Sequence, residues 1–152
     1  SIFVGIIRGI MIRRIHNNSK DKALLKSFLD RAGKSLEKFR YYSSRSFDSI
    51  DQHIYTILVI DDLNIPVAYG HLDKEDENVW LGICVSAKHS GQGYGKLVMQ
   101  DLLRWAQKSG IRVVRLKVDY DNSLAIDLYK KHGFEVEQIV IDQHYYMLLK
   151  LQ

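Results

Sequence analysis

The spacing of apolar residues along the chain predicts an alternation of strands and helices. Residues 11–15 read as a short strand, and the apolar positions after a cap at Ser19 recur at helical spacing. A second, weaker helix is predicted over residues 35–42. Three apolar, β-branched runs joined by short turns then predict an antiparallel meander over residues 54–60, 67–73 and 79–85.

The pattern changes to a helical one beyond residue 85. Apolar residues form one face of a predicted helix over residues 96–108, and polar residues form the other. The remaining predictions are a strand at 113–118, a helix at 122–132 and strands at 136–141 and 145–151. A helix that links two strands favours parallel neighbours. The chain is therefore predicted to be mixed α/β, with a mostly antiparallel central sheet flanked by helices.

Composition supports an ordinary globular chain. Its 152 residues are 46% hydrophobic and 26% charged, which suffices for a core in one domain. We assign residues 11–152 to a single domain and residues 1–10 to an N-terminal extension of unknown role. The apolar start of the chain is too short to span a bilayer and lacks the order of a signal peptide. We expect no membrane partner.

Charge and cysteine content narrow the range of ligands and cellular locations that we expect. The net charge of +4 comes without a dense Lys/Arg run, so we expect no nucleic-acid partner, whereas a small polyanionic ligand fits. The single cysteine, Cys84, excludes an internal disulfide and suits a cytoplasmic location. The six histidines show no metal-ligand spacing, and we predict no metal.

A glycine-rich turn, Ser90–Lys96, joins a predicted strand to a predicted helix. Alternating glycines let backbone N–H groups approach an anion, and the helix N-terminus adds the positive end of its dipole. Lys96 adds a full charge. A P-loop would require glycine at position 90 and serine or threonine at 97, but the chain has Ser90 and Leu97. The dinucleotide glycine spacing also fails, so the turn favours a phosphate site of another kind.

Two segments resemble the GNAT acetyltransferase superfamily. Ser90-Gly-Gln-Gly-Tyr-Gly95 is similar to its Arg/Gln-x-x-Gly-x-Gly/Ala motif, except that serine stands first. Residues 122–134 match its Asn-x-x-Ala-x-x-x-Tyr-x-x-x-Gly-Phe signature. The resemblance implies an acyl-CoA N-acyltransferase fold, acetyl-CoA as co-substrate, and transfer of acetyl to a primary amine by direct attack. The alternative is a CoA-binding or interaction module without turnover, because Ser90 is irregular and the strand at 79–85 lacks a carboxylate.

The resemblance also implies the site residues. Those expected to bind the cofactor are Ile83, Cys84, Val85, Ser90, Gly91, Gln92, Gly93, Tyr94, Gly95, Lys96 and Asn122. Tyr129, two helical turns after Asn122, is the candidate acid for the leaving thiolate. His71, which shares a strand face with Asp73, is a candidate base, and proton loss through water is the alternative.

The amine that accepts the acetyl group is less well defined by the sequence than the cofactor. Residues 39–45 combine aromatic side chains with two arginines where the family's acceptor helices lie, so a nucleotide-linked amino sugar is one candidate. An α-amine of a peptide, a lysine or a polyamine stays open. The C-terminal strands are suited to pairing in a homodimer.

Overall fold

A computed structural model describes residues 3–7 and 9–152 and shows one mixed sheet with helices packed on it. The helices are α1 (Ser19–Arg31), α2 (Tyr94–Lys108) and α3 (Ser123–Lys131). The strands are β1 (Phe3–Ile7), β2 (Ile10–Arg14), β3 (His53–Ile60), β4 (Pro66–Glu75), β5 (Asn78–Val85), β6 (Val113–Asp119), β7 (Glu135–Val140) and β8 (His144–Lys150). Their order across the sheet is β1-β2-β3-β4-β5-β6-β8-β7.

The predicted fold class is confirmed. Among the described strands only β5 and β6 pair in parallel, as expected for strands linked by α2, and the other neighbouring pairs are antiparallel. β1 pairs with β2, so strand pairing extends into the segment that the sequence analysis assigns to an extension. The assignment of residues 11–152 to one domain stays a prediction.

Two local predictions are wrong. The cap of α1 is Asn18 rather than Ser19, because the Asn18 side chain accepts a hydrogen bond from the backbone N–H of Asp21 at 2.8 Å. Residues 35–42 do not form a helix. They contribute to short 3-10 turns at Gly33–Glu37 and Tyr41–Ser43. Side chains in and between these turns form hydrogen bonds to residues of the sheet.

Each face of the sheet carries its own buried core. On one face α2 packs over β3, β4 and β5, and Val98, Met99 and Leu102 are fully buried there. On the opposite face α1 packs over β4, where Phe28 lies against Tyr69 with ring centroids 6.3 Å apart. We call these the α2 face and the α1 face.

The parallel pair β5–β6 is interrupted near its start. Trp80 and Arg115 form its single bridge, although both strands continue for several residues beyond it. The two strands therefore diverge toward their C-terminal ends and leave a gap in the sheet that opens at the glycine-rich turn.

Candidate active site

The gap exposes backbone groups of β5. The N–H of Ser86 donates to the carbonyl of Val67, which fixes the pairing of β5 with β4. Backbone groups alternate sides along a strand, so Cys84 and Gly82 direct theirs toward β4, and Ile83 and Val85 direct theirs into the gap. The Val85 carbonyl accepts a hydrogen bond from the Ser35 hydroxyl, which confirms its direction away from β4.

Cys84 does not fit its predicted role at the cofactor. Its backbone groups face β4, and its side chain is 3% exposed within the core of the α1 face. Burial raises the pKa of the Cys84 thiol to about 12, so the thiol stays protonated and is a poor nucleophile. Ile83 and Val85 are the residues of β5 that remain available to a ligand in the gap.

The glycine-rich turn presents unpaired backbone donors. Gly91 and Gly93 have φ angles of 77° and 86°, a left-handed conformation that favours glycine, and no atom lies within 4 Å of the position of a Cβ at either residue. Within the described part of the chain, the N–H groups of residues 91–96 have no backbone acceptor. The turn is therefore built to surround an anion.

The start of α2 completes this cradle. Gly93 is the N-cap and supplies no side-chain hydrogen bond, and the first turn of the helix holds no acidic residue. Lys96 is exposed and forms no salt bridge among the described residues. A Cβ at Gly95 would lie 3.2 Å from Leu128, so glycine there lets α2 approach α3 closely. Ser90 differs from its neighbours, since its N–H donates to the Ala87 carbonyl.

Tyr129 and Asn122 lie at the other side of the gap. Tyr129 is 7% exposed, its ring packs near Phe134, and its hydroxyl has no hydrogen-bond partner among the residues that the structure describes. Burial, and to a smaller extent the neighbouring Cys84 thiol, raises the pKa of Tyr129 well above its usual value. Asn122 is the N-cap residue of α3, but its side chain makes no capping hydrogen bond and stays available.

His71 lies on β4 beside the gap-forming strand. It pairs with Gly82 of β5, and a Cβ at Gly82 would lie 2.7 Å from Nε2 of His71. Nδ1 of His71 lies 2.6 Å from the Tyr69 hydroxyl, which in turn lies 2.7 Å from the Tyr42 hydroxyl. Burial holds the pKa of His71 well below its usual value, so the imidazole is neutral at pH 7.

Asp73 belongs to a second chain of hydrogen bonds. The Tyr41 hydroxyl donates to Asp73 at 3.1 Å and lies 2.7 Å from Nε2 of His53, whose Nδ1 lies 2.8 Å from the Thr56 hydroxyl. Burial lowers the pKa of His53 to about 4. The ring centroids of His53 and His71 are 4.4 Å apart, so the two series of hydrogen bonds form one packed cluster.

The segment predicted to meet the acceptor is held across the gap. Arg40 donates to both carboxylate oxygens of Asp119 at 3.1 and 3.2 Å, and Lys38 pairs with Asp121. Arg45 lies 4.2 Å from the centre of the Tyr41 ring. Both arginines of the segment therefore already have partners in the protein, which weakens their candidacy as phosphate ligands.

A model of the acetyltransferase (GNAT) family matches residues 22–134, which is most of the chain. The chain belongs to the GNAT acetyltransferase family. An uncharacterized N-acetyltransferase of Methanocaldococcus jannaschii is 36% identical over 71 residues, 47% of this chain and 31% of that protein. The L-amino acid N-acetyltransferase of Escherichia coli is 36% identical over 59 residues, 38% of this chain and 36% of that protein. The chain thus spans about a third of these relatives.

Solved GNAT structures share the fold. A GNAT-family acetyltransferase from Streptococcus pneumoniae superposes with a TM-score of 0.72 at 25% identity, covering 94% of this chain and 99% of that one. The PaiA N-acetyltransferase from Thermoplasma acidophilum, solved in complex with coenzyme A, gives a TM-score of 0.71 at 18% identity, covering 93% and 98%. The resemblance inferred from the sequence motifs is therefore confirmed.

The described residues of the GNAT chain contain neither a candidate membrane span nor a candidate metal cluster. In residues 3–7 and 9–152, no helix is both long and apolar enough to cross a membrane. The same residues hold no cluster of three or more histidine, cysteine, aspartate or glutamate side chains placed to bind a metal ion.

Sequence reasoning missed the residues that organise the site. Gly82 provides the space for the His71 ring, and Tyr69 holds that ring through Nδ1. The hairpin register predicts the contact between His71 and Gly82, because pairing Glu75 with Asn78 places Gly82 opposite His71. The bridge from Arg40 to Asp119 had no such signal, since the two residues are far apart in the chain.

Proposed function

We propose that this protein transfers the acetyl group of acetyl-CoA to a primary amine by direct attack. The observation that carries the proposal is the gap between β5 and β6, which ends at a turn with free N–H groups. One opening thus offers backbone partners for an extended arm and a cradle for its pyrophosphate. Family membership supports the same reaction.

The cofactor contacts divide between the strand and the turn. Ile83 and Val85 pair with the pantetheine arm through backbone groups in the gap, while residues 91–96 hold the pyrophosphate through N–H groups. The side chain of Asn122 steadies the cofactor from the start of α3. A backbone N–H in the gap also polarises the thioester carbonyl as charge develops on its oxygen.

Tyr129 supplies the proton for the leaving group. The amine nitrogen bonds to the thioester carbon, the carbon–sulfur bond breaks, and the sulfur takes the proton of the Tyr129 hydroxyl. Burial raises the pKa of Tyr129, so the hydroxyl is protonated and can donate to the sulfur as negative charge develops there. The tyrosine oxygen regains a proton from solvent, and the proton lost by the amine passes to a separate base.

His71 is the proposed base for the amine. Nε2 faces Gly82 of β5, one residue before the gap-facing backbone of Ile83, and the low pKa keeps the imidazole neutral. Because His71 is 3% exposed, we propose that a water relays the proton from the amine.

The test is amine-dependent release of the CoA thiol. Purified protein is mixed with acetyl-CoA and each member of a panel of amino acids, amino sugars, polyamines and a peptide. Release that requires one class of amine supports the proposal. Tight binding of CoA, measured by calorimetry, without release for every amine would instead establish a CoA-binding module, the function that the irregular Ser90 favours.

A further inference from the structure

The α1 face of the sheet continues across the gap as a surface of aromatic and charged side chains. Residues that pair directly across strands point their side chains to the same face. His71 pairs with Gly82, Asp73 with Trp80, Trp80 with Arg115, and Lys117 with Tyr146. All of these residues therefore share the face on which His71 lies.

Two aromatic rings form the floor of this surface. Trp80 and Tyr146 are half-buried and meet with ring centroids 5.9 Å apart at an interplanar angle of 66°. Gly82 carries no side chain, and the His71 ring occupies the space where one would lie. A flat or apolar part of a ligand can pack on the two rings beside the gap.

Several charges on this surface are arranged in opposite pairs. Arg115 is paired with Glu137 at 3.1 Å, and Arg40 and Lys38 are paired with Asp119 and Asp121. Lys117 is exposed and forms no salt bridge or hydrogen bond with the described residues. Among the described residues, Lys117 is the unpaired cation directly opposite Tyr146, and it is left to bind a ligand.

The opposite side of the surface is negative. Asp73 is 4% exposed and receives one hydrogen bond, from Tyr41, within the described chain. Asp73 and Lys117 thus lie on opposite sides of the aromatic floor, on β4 and β6, with β5 between them. An amine held on the Asp73–His71 side would place the rest of the acceptor toward Lys117.

We propose that the acceptor is a primary amine that also carries an anionic group, a carboxylate or a phosphate, which Lys117 binds while Trp80 and Tyr146 support the body of the molecule. This inference rests on the proposed acetyl transfer and specifies its substrate class. A zwitterionic amine matches the surface in charge at both ends, whereas a polyamine would place a second cation against Lys117.

The test compares amines with and without the anionic group, and rates are expressed per neutral amine because a neighbouring carboxylate also changes the pKa of the amine. The pairs are L-phenylalanine with L-phenylalaninamide, and glucosamine 6-phosphate with glucosamine. In at least one pair the anionic member is expected to have a kcat/KM about tenfold higher, as for a charge-assisted hydrogen bond. The pair that shows the preference identifies the source of the anion.

Variants assign the preference to Lys117. Lys117→Gln should reduce the preference in kcat/KM for the anionic amine about tenfold, and Lys117→Arg should retain that preference. Lys108→Gln removes the same charge at the exposed end of α2 and should leave the preference unchanged. Trp80→Leu should raise KM for the anionic amine and not for acetyl-CoA. Equal rates within both pairs, or a preference that survives Lys117→Gln, would overturn this inference and leave acetyl transfer intact. Absence of thiol release with every amine would overturn both.

Discussion

The imidazole of His71 occupies the space that a side chain at Gly82 would fill. A Cβ atom at Gly82 would lie 2.7 Å from Nε2 and 2.8 Å from Cε1 of His71. The two residues are directly paired on β4 and β5, so this contact sets the position of the ring relative to the gap. A candidate base and the strand that lines the cofactor gap are thus held in one fixed relation.

Gly82→Ala should displace the His71 ring. We expect a loss of kcat beyond the loss that the reduced free energy of unfolding explains. The added methyl group overpacks the contact at a cost of about 1–3 kcal/mol in the free energy of unfolding. Gly70→Ala is the matched control, because a Cβ there meets Val98 and Leu102 on the α2 face of β4, away from His71. Urea unfolding and steady-state rates separate the two effects. An equal loss of kcat in both variants would remove the special role of the His71–Gly82 contact.

Tyr129→Phe should reduce kcat about 100-fold or more while KM for acetyl-CoA changes little. The variant removes the proton donor for the thiolate and keeps the ring that packs near Phe134. Tyr120→Phe, at a residue 47% exposed, is the control and should behave as the parent protein. Unchanged turnover in Tyr129→Phe would refute the assignment of the acid.

Lys96→Gln should weaken CoA binding about fivefold and reduce the dependence of the Kd on salt concentration. Lys96 stands in the first turn of α2, beside the free N–H groups, whereas Lys108 stands at the last turn of the same helix. Lys108→Gln is therefore the control for net charge. Calorimetry at two salt concentrations measures both quantities, and equal effects of the two substitutions would place the pyrophosphate elsewhere.

The buried histidines should make stability fall in mild acid. In the unfolded chain a histidine binds a proton near pH 6.5, but burial lowers the pKa of His53 to about 4 and holds that of His71 well below its usual value. Between those values the unfolded state holds more protons, so the free energy of unfolding decreases as pH falls from about 7 to 4.

His53→Gln should flatten this decrease by roughly 2–3 kcal/mol over that range. His16→Gln, on the loop after β2 and outside the cluster, should keep the parent slope. Urea unfolding at a series of pH values gives the slopes. Parallel curves for His53→Gln and the parent would show that His53 titrates alike in both states.

The sequence predicted regular elements better than the connections between them. Strand alternation and helical periodicity placed β3 to β8 and all three helices to within a few residues, because each element carries its own apolar face. The predicted helix over residues 35–42 is absent because the conformation of this segment depends on distant partners such as Val85 and Asp119. The predicted five-residue turn at 74–78 is tighter in the structure, where Asp76 takes a φ of 54° and the strands continue to Glu75 and Asn78.

The candidate site was predictable where local motifs specify it. The glycine-rich turn predicts a cofactor cradle, and the resemblance of residues 122–134 to the family signature predicts Tyr129. Which residues of β5 face the gap depends on register against β4. In this register the backbone groups of Ile83 and Val85 face the gap, whereas those of Cys84, which was predicted with them, face β4. The partnership of His71 with Gly82 is likewise a property of strand pairing.

The most direct test of the account follows the acetyl group itself. Acetyl-CoA labelled in the acetyl carbonyl is incubated with the protein and an amine that stimulates thiol release, and the products are separated by mass spectrometry. The account predicts that the label is recovered on the amine nitrogen in an amount equal to the CoA released, and that Tyr129→Phe slows both equally. Label recovered as free acetate, or CoA bound with no label transferred, would contradict it.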